Sequence, residues 1–77
     1  MKEFIEYIAR NLVDDPDSVK VDEKEEDNRV TYTLHVSKND LGKVIGKQGK
    51  TAKSMRVLLT AVAAKHNKSG HLEIDED

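Results

Sequence analysis

An α+β fold of two layers, three helices on one face of a three-stranded sheet, is predicted by three features of this 77-residue chain. Apolar residues recur at helical spacing near the start and again after residue 50. They alternate with polar residues from 30 to 36, and two glycines three positions apart split the second helical region. In chain order the elements are helix, strand, strand, helix, helix, strand.

Phe4, Ile5, Ile8, Ala9 and Leu12 share one side of a first helix, with Glu3, Glu6 and Arg10 opposite. Asp14-Asp15-Pro16 ends it. Val19 and Val21 alternate with Lys20 and Asp22 in a short strand, and Lys24 to Asn28 make a charged turn. Val30, Tyr32, Leu34 and Val36 then face the core while Thr31, Thr33 and His35 face water. Ser37-Lys38-Asn39-Asp40 fits a capping box, with Ser37 at the N-cap and Asp40 returning a hydrogen bond, ahead of a short helix carrying Leu41, Val44 and Ile45. Gly46-Lys47-Gln48-Gly49 breaks that helix. Ala52, Met55, Leu58, Leu59, Val62 and Ala63 form the broad stripe of a longer helix that ends between Asn67 and Gly70, and Leu72 and Ile74 make a last short strand. Two helices between the second and last strands make those strands parallel neighbours by the right-handed crossover rule, with every helix on the same face.

Length allows one domain, residues 1–77, and a chain this short buries only roughly 60% of its unfolded surface, which leaves little room for a deep catalytic cleft. Cysteine is absent, so disulfides, thiolate metal sites and cysteine nucleophiles are excluded and a reducing cytoplasm is the expected setting. The N-terminus alternates apolar with charged residues, unlike a secretory signal, and no run approaches the roughly 20 apolar residues of a membrane span. Net charge is −2, which by itself counts against a nucleic-acid partner. Its distribution says otherwise. Residues 1 to 37 hold five bases and ten acids, residues 38 to 68 hold eight bases and the single acid Asp40, and residues 69 to 77 hold four acids.

The basic segment contains the glycine turn. A helix starting there offers unpaired backbone N–H groups and the positive end of its dipole, while the glycines remove side chains that would block a close approach. Lys43, Lys47, Lys50, Lys53 and Arg56 surround the turn, and Gln48 adds a polar donor. That is a site for phosphate. A tight helix–helix turn without a ligand is the alternative reading of the same glycines. Gly49-Lys50-Thr51 also imitates the end of a nucleotide-binding P-loop, but that motif requires glycine where Val44 stands. His35, His66 and His71 match no metal spacing, so no metal, cofactor or catalytic residue is assigned.

Val44-Ile45-Gly46-Lys47-Gln48-Gly49-Lys50 resembles the core signature of KH domains, and the element order resembles their type II, prokaryotic arrangement. With Phe4-Ile5-Glu6-Tyr7-Ile8-Ala9, Leu12-Val13-Asp14-Asp15-Pro16 and the segment from Gly42 to Lys53, nearly the whole chain is similar to the small bacterial single-KH family called KhpA. The resemblance implies a cytoplasmic protein in which Gly46, Lys47, Gln48 and Gly49 clamp the backbone of single-stranded RNA. It further implies an RNA chaperone or post-transcriptional regulator linked to cell elongation or division, acting as a homodimer or paired with a larger KH protein of the Jag type. Val44 is assigned to the RNA site with Lys43, Lys50, Lys53 and Arg56; Leu41, Val44 and Val36 either line an apolar base groove or belong wholly to the core. The last strand is less apolar than the family leads one to expect.

Three further expectations follow from the residues. Val57, Ala61 and Ala64 form a second, small-residue strip on the long helix, suited to a dimer contact or else simply exposed. Phe4, Tyr7 and Tyr32 are too few aromatics for a base-stacking platform. The acidic clusters at 22 to 27 and 73 to 77 are solvated turns and tails, or repel nucleic acid from the wrong face. The rival to RNA binding is a protein-interaction module for which RNA is incidental.

Overall fold

A computed structural model describes residues 2–46 and 49–76. Helix α1 (Lys2–Leu12) is followed by a 3-10 turn at Pro16–Ser18, then β1 (Lys20–Glu26), β2 (Arg29–Val36), a second 3-10 turn at Lys38–Asp40, α2 (Leu41–Ile45), α3 (Lys50–Lys65) and β3 (Ser69–Glu76). The predicted order and the α+β class are therefore observed.

β2 is the central strand because its alternation supplies a full apolar face: Val30, Tyr32, Leu34 and Val36 are all buried. β1 pairs with it antiparallel, from Lys20 opposite His35 to Glu26 opposite Arg29. β3 pairs on the other side in parallel, from Arg29 opposite Ser69 to Val36 opposite Glu76. The crossover through α2 and α3 makes this parallel neighbour, as the sequence predicts.

Both outer strands are longer than expected. The charged stretch from Lys24 is still ladder, and only Asp27 and Asn28 form the turn, with Asp27 at a φ of +48°. Asp tolerates that left-handed backbone better than most residues. Of β1's core-facing positions only Val21 is buried; Glu23 and Glu25 stand on the same side and stay exposed, so the apolar pattern stops before the strand does. β3 runs for eight residues because it lies in register with the whole of β2, and ladder pairing does not require the apolar alternation that a sequence reading searches for.

The helical stripes are narrower than predicted. In α1, Ile5 and Ala9 are buried and Ile8 packs against the core, but Phe4 and Leu12 are exposed. In α3, Ala52, Met55 and Leu59 are buried, Val62 and Ala63 are half-buried, and Leu58 is 45% exposed. α3 lies along β3 while α1 packs on β1 and β2, so each helix buries one narrow strip and leaves its flank in water. The far face of the sheet is polar: His35 Nε2 lies 2.9 Å from Asp22 Oδ2, and its Nδ1 lies 3.6 Å from Asp75 Oδ2, linking all three strands.

Candidate nucleic-acid interface

α2 stops at Gly46, whose φ of +79° an L side chain rarely adopts, and the Gly46 amide closes the last turn on the Gly42 carbonyl at 2.9 Å. A Cβ at Gly46 would also run into the side chain of Thr51 and stand 2.9 Å from its amide nitrogen. Glycine is thus required twice over. Gly49 has a φ of +74° and donates its amide to the Gly46 carbonyl at 3.1 Å, but a Cβ there would meet nothing within 4 Å. Lys47 and Gln48, the inner residues of the predicted clamp, lie outside the described residues.

α3 begins directly after Gly49, which has no side chain to cap it. Its first N–H groups and the positive end of a 16-residue dipole therefore point toward the turn. Lys50 and Lys53 follow at exposed positions and form no ion pair among the described residues. Arg56 comes one turn further and donates its Nε to the Leu72 carbonyl at 3.4 Å, which ties that guanidinium to β3.

Lys43 is held differently. Its ammonium is hydrogen-bonded to the Asp14 carboxylate, which keeps the lysine pKa above its ordinary value, and lies 4.0 Å from Asp40 Oδ1. Among the described residues, Lys50 and Lys53 are thus free of ion pairs, while Lys43 is engaged by Asp14 and Arg56 by β3.

Val44 requires a correction. It is 0% exposed and belongs to the core cluster, as does Val36, so neither offers a surface for bases. Val44 anchors α2 from beneath, and Leu41, half-buried, is the member of the proposed groove that retains exposed surface.

The capping box also takes another form. Ser37 makes no side-chain cap; its hydroxyl donates to Asp40 Oδ2 at 3.2 Å. Asp40 instead accepts the backbone amides of Asp14 at 3.1 Å and Asp15 at 3.0 Å. It is 2% exposed, and these donors, the Asp14 amide foremost, hold its carboxyl below the ordinary aspartate range against the opposing effect of burial. A buried carboxylate joining the loop after α1 to the start of α2 is invisible to periodicity. One sign of it was in the sequence: Asp40 is the single acid among eight bases in residues 38 to 68.

Two comparisons can be set against this geometry. A family model described as the KH domain of KhpA/KhpB matches residues 2–74. The chain belongs to the KhpA/KhpB KH-domain family. Among its KhpA relatives, a Chlamydia trachomatis protein named RNA-binding protein KhpA is 48% identical over 77 residues, covering all of this chain and 99% of the relative. Proteins of the same name from Listeria monocytogenes and Clostridium perfringens are 49% identical over 76 residues and 47% identical over 74, covering 99% and 96% of this chain and 100% and 99% of the relatives. Membership in a KH family agrees with the order of elements and with the turn between α2 and α3.

The predicted dimer strip lies on α3: Val57 is 62% exposed, and Ala61 and Ala64 are exposed too. Leu58, which the sequence reading assigned to the core, adds to this surface. Among the described residues, no helix is long and apolar enough to cross a membrane and no group of three or more His, Asp or Glu side chains is arranged to hold a metal ion.

Proposed function

We propose that this chain is a single KH domain that binds single-stranded RNA in the cytoplasm, gripping the backbone at Gly46, Lys47, Gln48 and Gly49 with Lys43, Lys50, Lys53 and Arg56 as counter-charges and no catalytic step. The observation that carries this reading is the uncapped start of α3 behind two positive-φ glycines, flanked by Lys50 and Lys53, which form no ion pair among the described residues. Bare backbone donors and mobile ammonium groups suit a phosphate chain. The relatives' name, RNA-binding protein KhpA, supports the same polymer. A clamp of this size binds modestly and with low base specificity, which suits an RNA chaperone or post-transcriptional regulator acting in cell elongation or division.

Pairing two clamps would raise the effective concentration of each for the same RNA. Val57, Leu58, Ala61 and Ala64 form an apolar surface for that purpose, in a homodimer or with a larger Jag-type KH protein. The same surface favours the second reading, a protein-interaction module for which RNA is incidental. Replacing Lys47 and Gln48 by Asp separates the two. Loss of RNA crosslinking with fold and partner binding retained supports the clamp; full cellular function in that variant supports the module. Ala61→Glu should shift a dimer to monomer in sedimentation, and a wild-type monomer at tens of micromolar would remove the dimer.

A further inference from the structure

Asp40 places a buried negative charge next to a surface proposed to hold an anion, the opposite of what charge complementarity alone would select. Its surroundings give it a geometric purpose. The two carboxylate oxygens divide their acceptors' work between two segments: Oδ1 takes the Asp14 amide, and Oδ2 takes the Asp15 amide and the Ser37 hydroxyl. The segment after α1 is thereby fastened to the residues that open α2. Lys43 reaches back to this junction, its ammonium bonded to Asp14 and 4.0 Å from Asp40 Oδ1. Lys43 lies on α2 and Gly46 is the C-cap of that helix three residues on, so the ammonium is anchored on the one short helix that leads into the turn.

We propose that Asp40 is a positioning residue for the RNA clamp, fixing the loop after α1 against α2 and, together with Asp14, keeping the Lys43 ammonium pre-placed on the short helix that leads into the Gly46 turn. The proposal rests on the clamp reading above. The two carboxylates near Lys43 then have opposite effects. Asp14 is exposed, makes the ammonium's hydrogen bond and competes with an arriving phosphate for it, whereas Asp40 is buried, keeps its backbone donors throughout and, 4.0 Å from the ammonium, still attracts Lys43 to the junction once a phosphate has displaced Asp14.

Simple electrostatics predicts that removing either negative charge strengthens binding to a polyanion. Positioning predicts otherwise, because Asn at position 40 presents an NH2 group to an amide that needs an acceptor. The test measures the affinity of the full chain for a labelled single-stranded RNA of mixed sequence, in wild type, Asp14→Asn, Asp40→Asn, Lys43→Ala and the Asp40→Asn/Lys43→Ala double variant. Asp14→Asn should tighten binding about twofold, as expected for an exposed ion pair. Asp40→Asn should weaken it about fivefold or more, with the far-ultraviolet circular dichroism retained. In the Lys43→Ala background the same change should matter by less than about twofold, since its effect passes through the lysine.

Tighter binding by Asp40→Asn, or an equal loss with and without Lys43, overturns the proposal while leaving the clamp intact. Wild type that fails to bind the RNA overturns the clamp and this inference with it. Should Asp40→Asn not fold, Ser37→Ala removes one donor and leaves both amide bonds; a loss of about twofold supports the proposal and an unchanged affinity overturns it.

Discussion

Gly70 of β3 passes so close beneath Leu59 of α3 that a Cβ on the glycine would stand 2.8 Å from the leucine carbonyl oxygen and 3.1 Å from the Ala63 Cβ. The nearest obstacle is helix backbone, which cannot rotate aside. Gly70→Ala should therefore lift α3 from the sheet and destabilise the fold by about 1–3 kcal/mol, as overpacking does. In a domain of this size each kcal/mol lowers the melting temperature by roughly 4–8 °C. Gly42→Ala is the contrast, because a Cβ there meets nothing within 4 Å and the position is helical. It should raise stability by about 0.5–1 kcal/mol. Equal melting temperatures for the two variants would show that α3 does not depend on this close approach.

The two glycines of the turn should differ under the same substitution. Gly46→Ala meets both a positive φ and the Thr51 side chain and amide, whereas Gly49→Ala meets the positive φ alone, with open space around it. A left-handed non-glycine residue costs roughly 1–2 kcal/mol. Gly49→Ala should lose about that much, Gly46→Ala clearly more. Because Gly49 lies in the left-handed helical region at φ +74° and ψ +11°, Gly49→Asn should recover part of the loss. Thermal denaturation of the three variants reads the order directly.

How far the sequence carries can be judged from such positions. The alternation of Val30 through Val36 and the glycine pair identified the second strand and the turn, because period and backbone chemistry are local properties, and the crossover rule supplied the parallel neighbour. Leu58, Phe4 and Leu12 were misplaced because periodicity locates the middle of a stripe but not its width, which depends on how many elements pack against the helix. β3 was underestimated because ladder bonds form regardless of side chain. Val44 sits inside the signature motif yet points into the core, so membership in a motif did not distinguish contact from support. Asp40 was assigned to a local cap because the two backbone amides that it accepts lie 26 and 25 residues away in the chain.

Acid should reveal Asp40 in the stability of the fold. Its carboxyl is held below the ordinary aspartate value, first by the Asp14 amide, then by the Asp15 amide, the Ser37 hydroxyl and the nearby Lys43, with burial opposing them. A depressed folded-state pKa contributes stability that is complete above the unfolded value, about 4, and is lost as pH falls through the lower folded value. The wild-type melting temperature should therefore drop as pH is taken below about 4. Asp40→Asn should melt lower at neutral pH and show a shallower dependence in acid. Identical acid slopes in the two proteins would assign the effect to other carboxylates.

Salt dependence should locate the RNA contact along α3. Each phosphate neutralised on a single strand contributes about −0.7 to the slope of log K against log salt. Lys50 and Lys53 are exposed and free of ion pairs among the described residues, so replacing either by Ala should make the slope shallower by about 0.7 as well as weakening binding. Lys65 provides the control. It is also exposed but ends the same helix fifteen residues from Lys50, roughly 22 Å at 1.5 Å per residue, more than twice the screening length of about 8 Å at physiological salt. Lys65→Ala should leave both slope and affinity nearly unchanged. A chain with a net charge of −2 gains little from overall attraction to RNA, so the proposed clamp requires the affinity to come from the α2–α3 end. Equal slope changes from Lys53 and Lys65 would mean that the contact is spread along the helix instead of concentrated at the glycine turn.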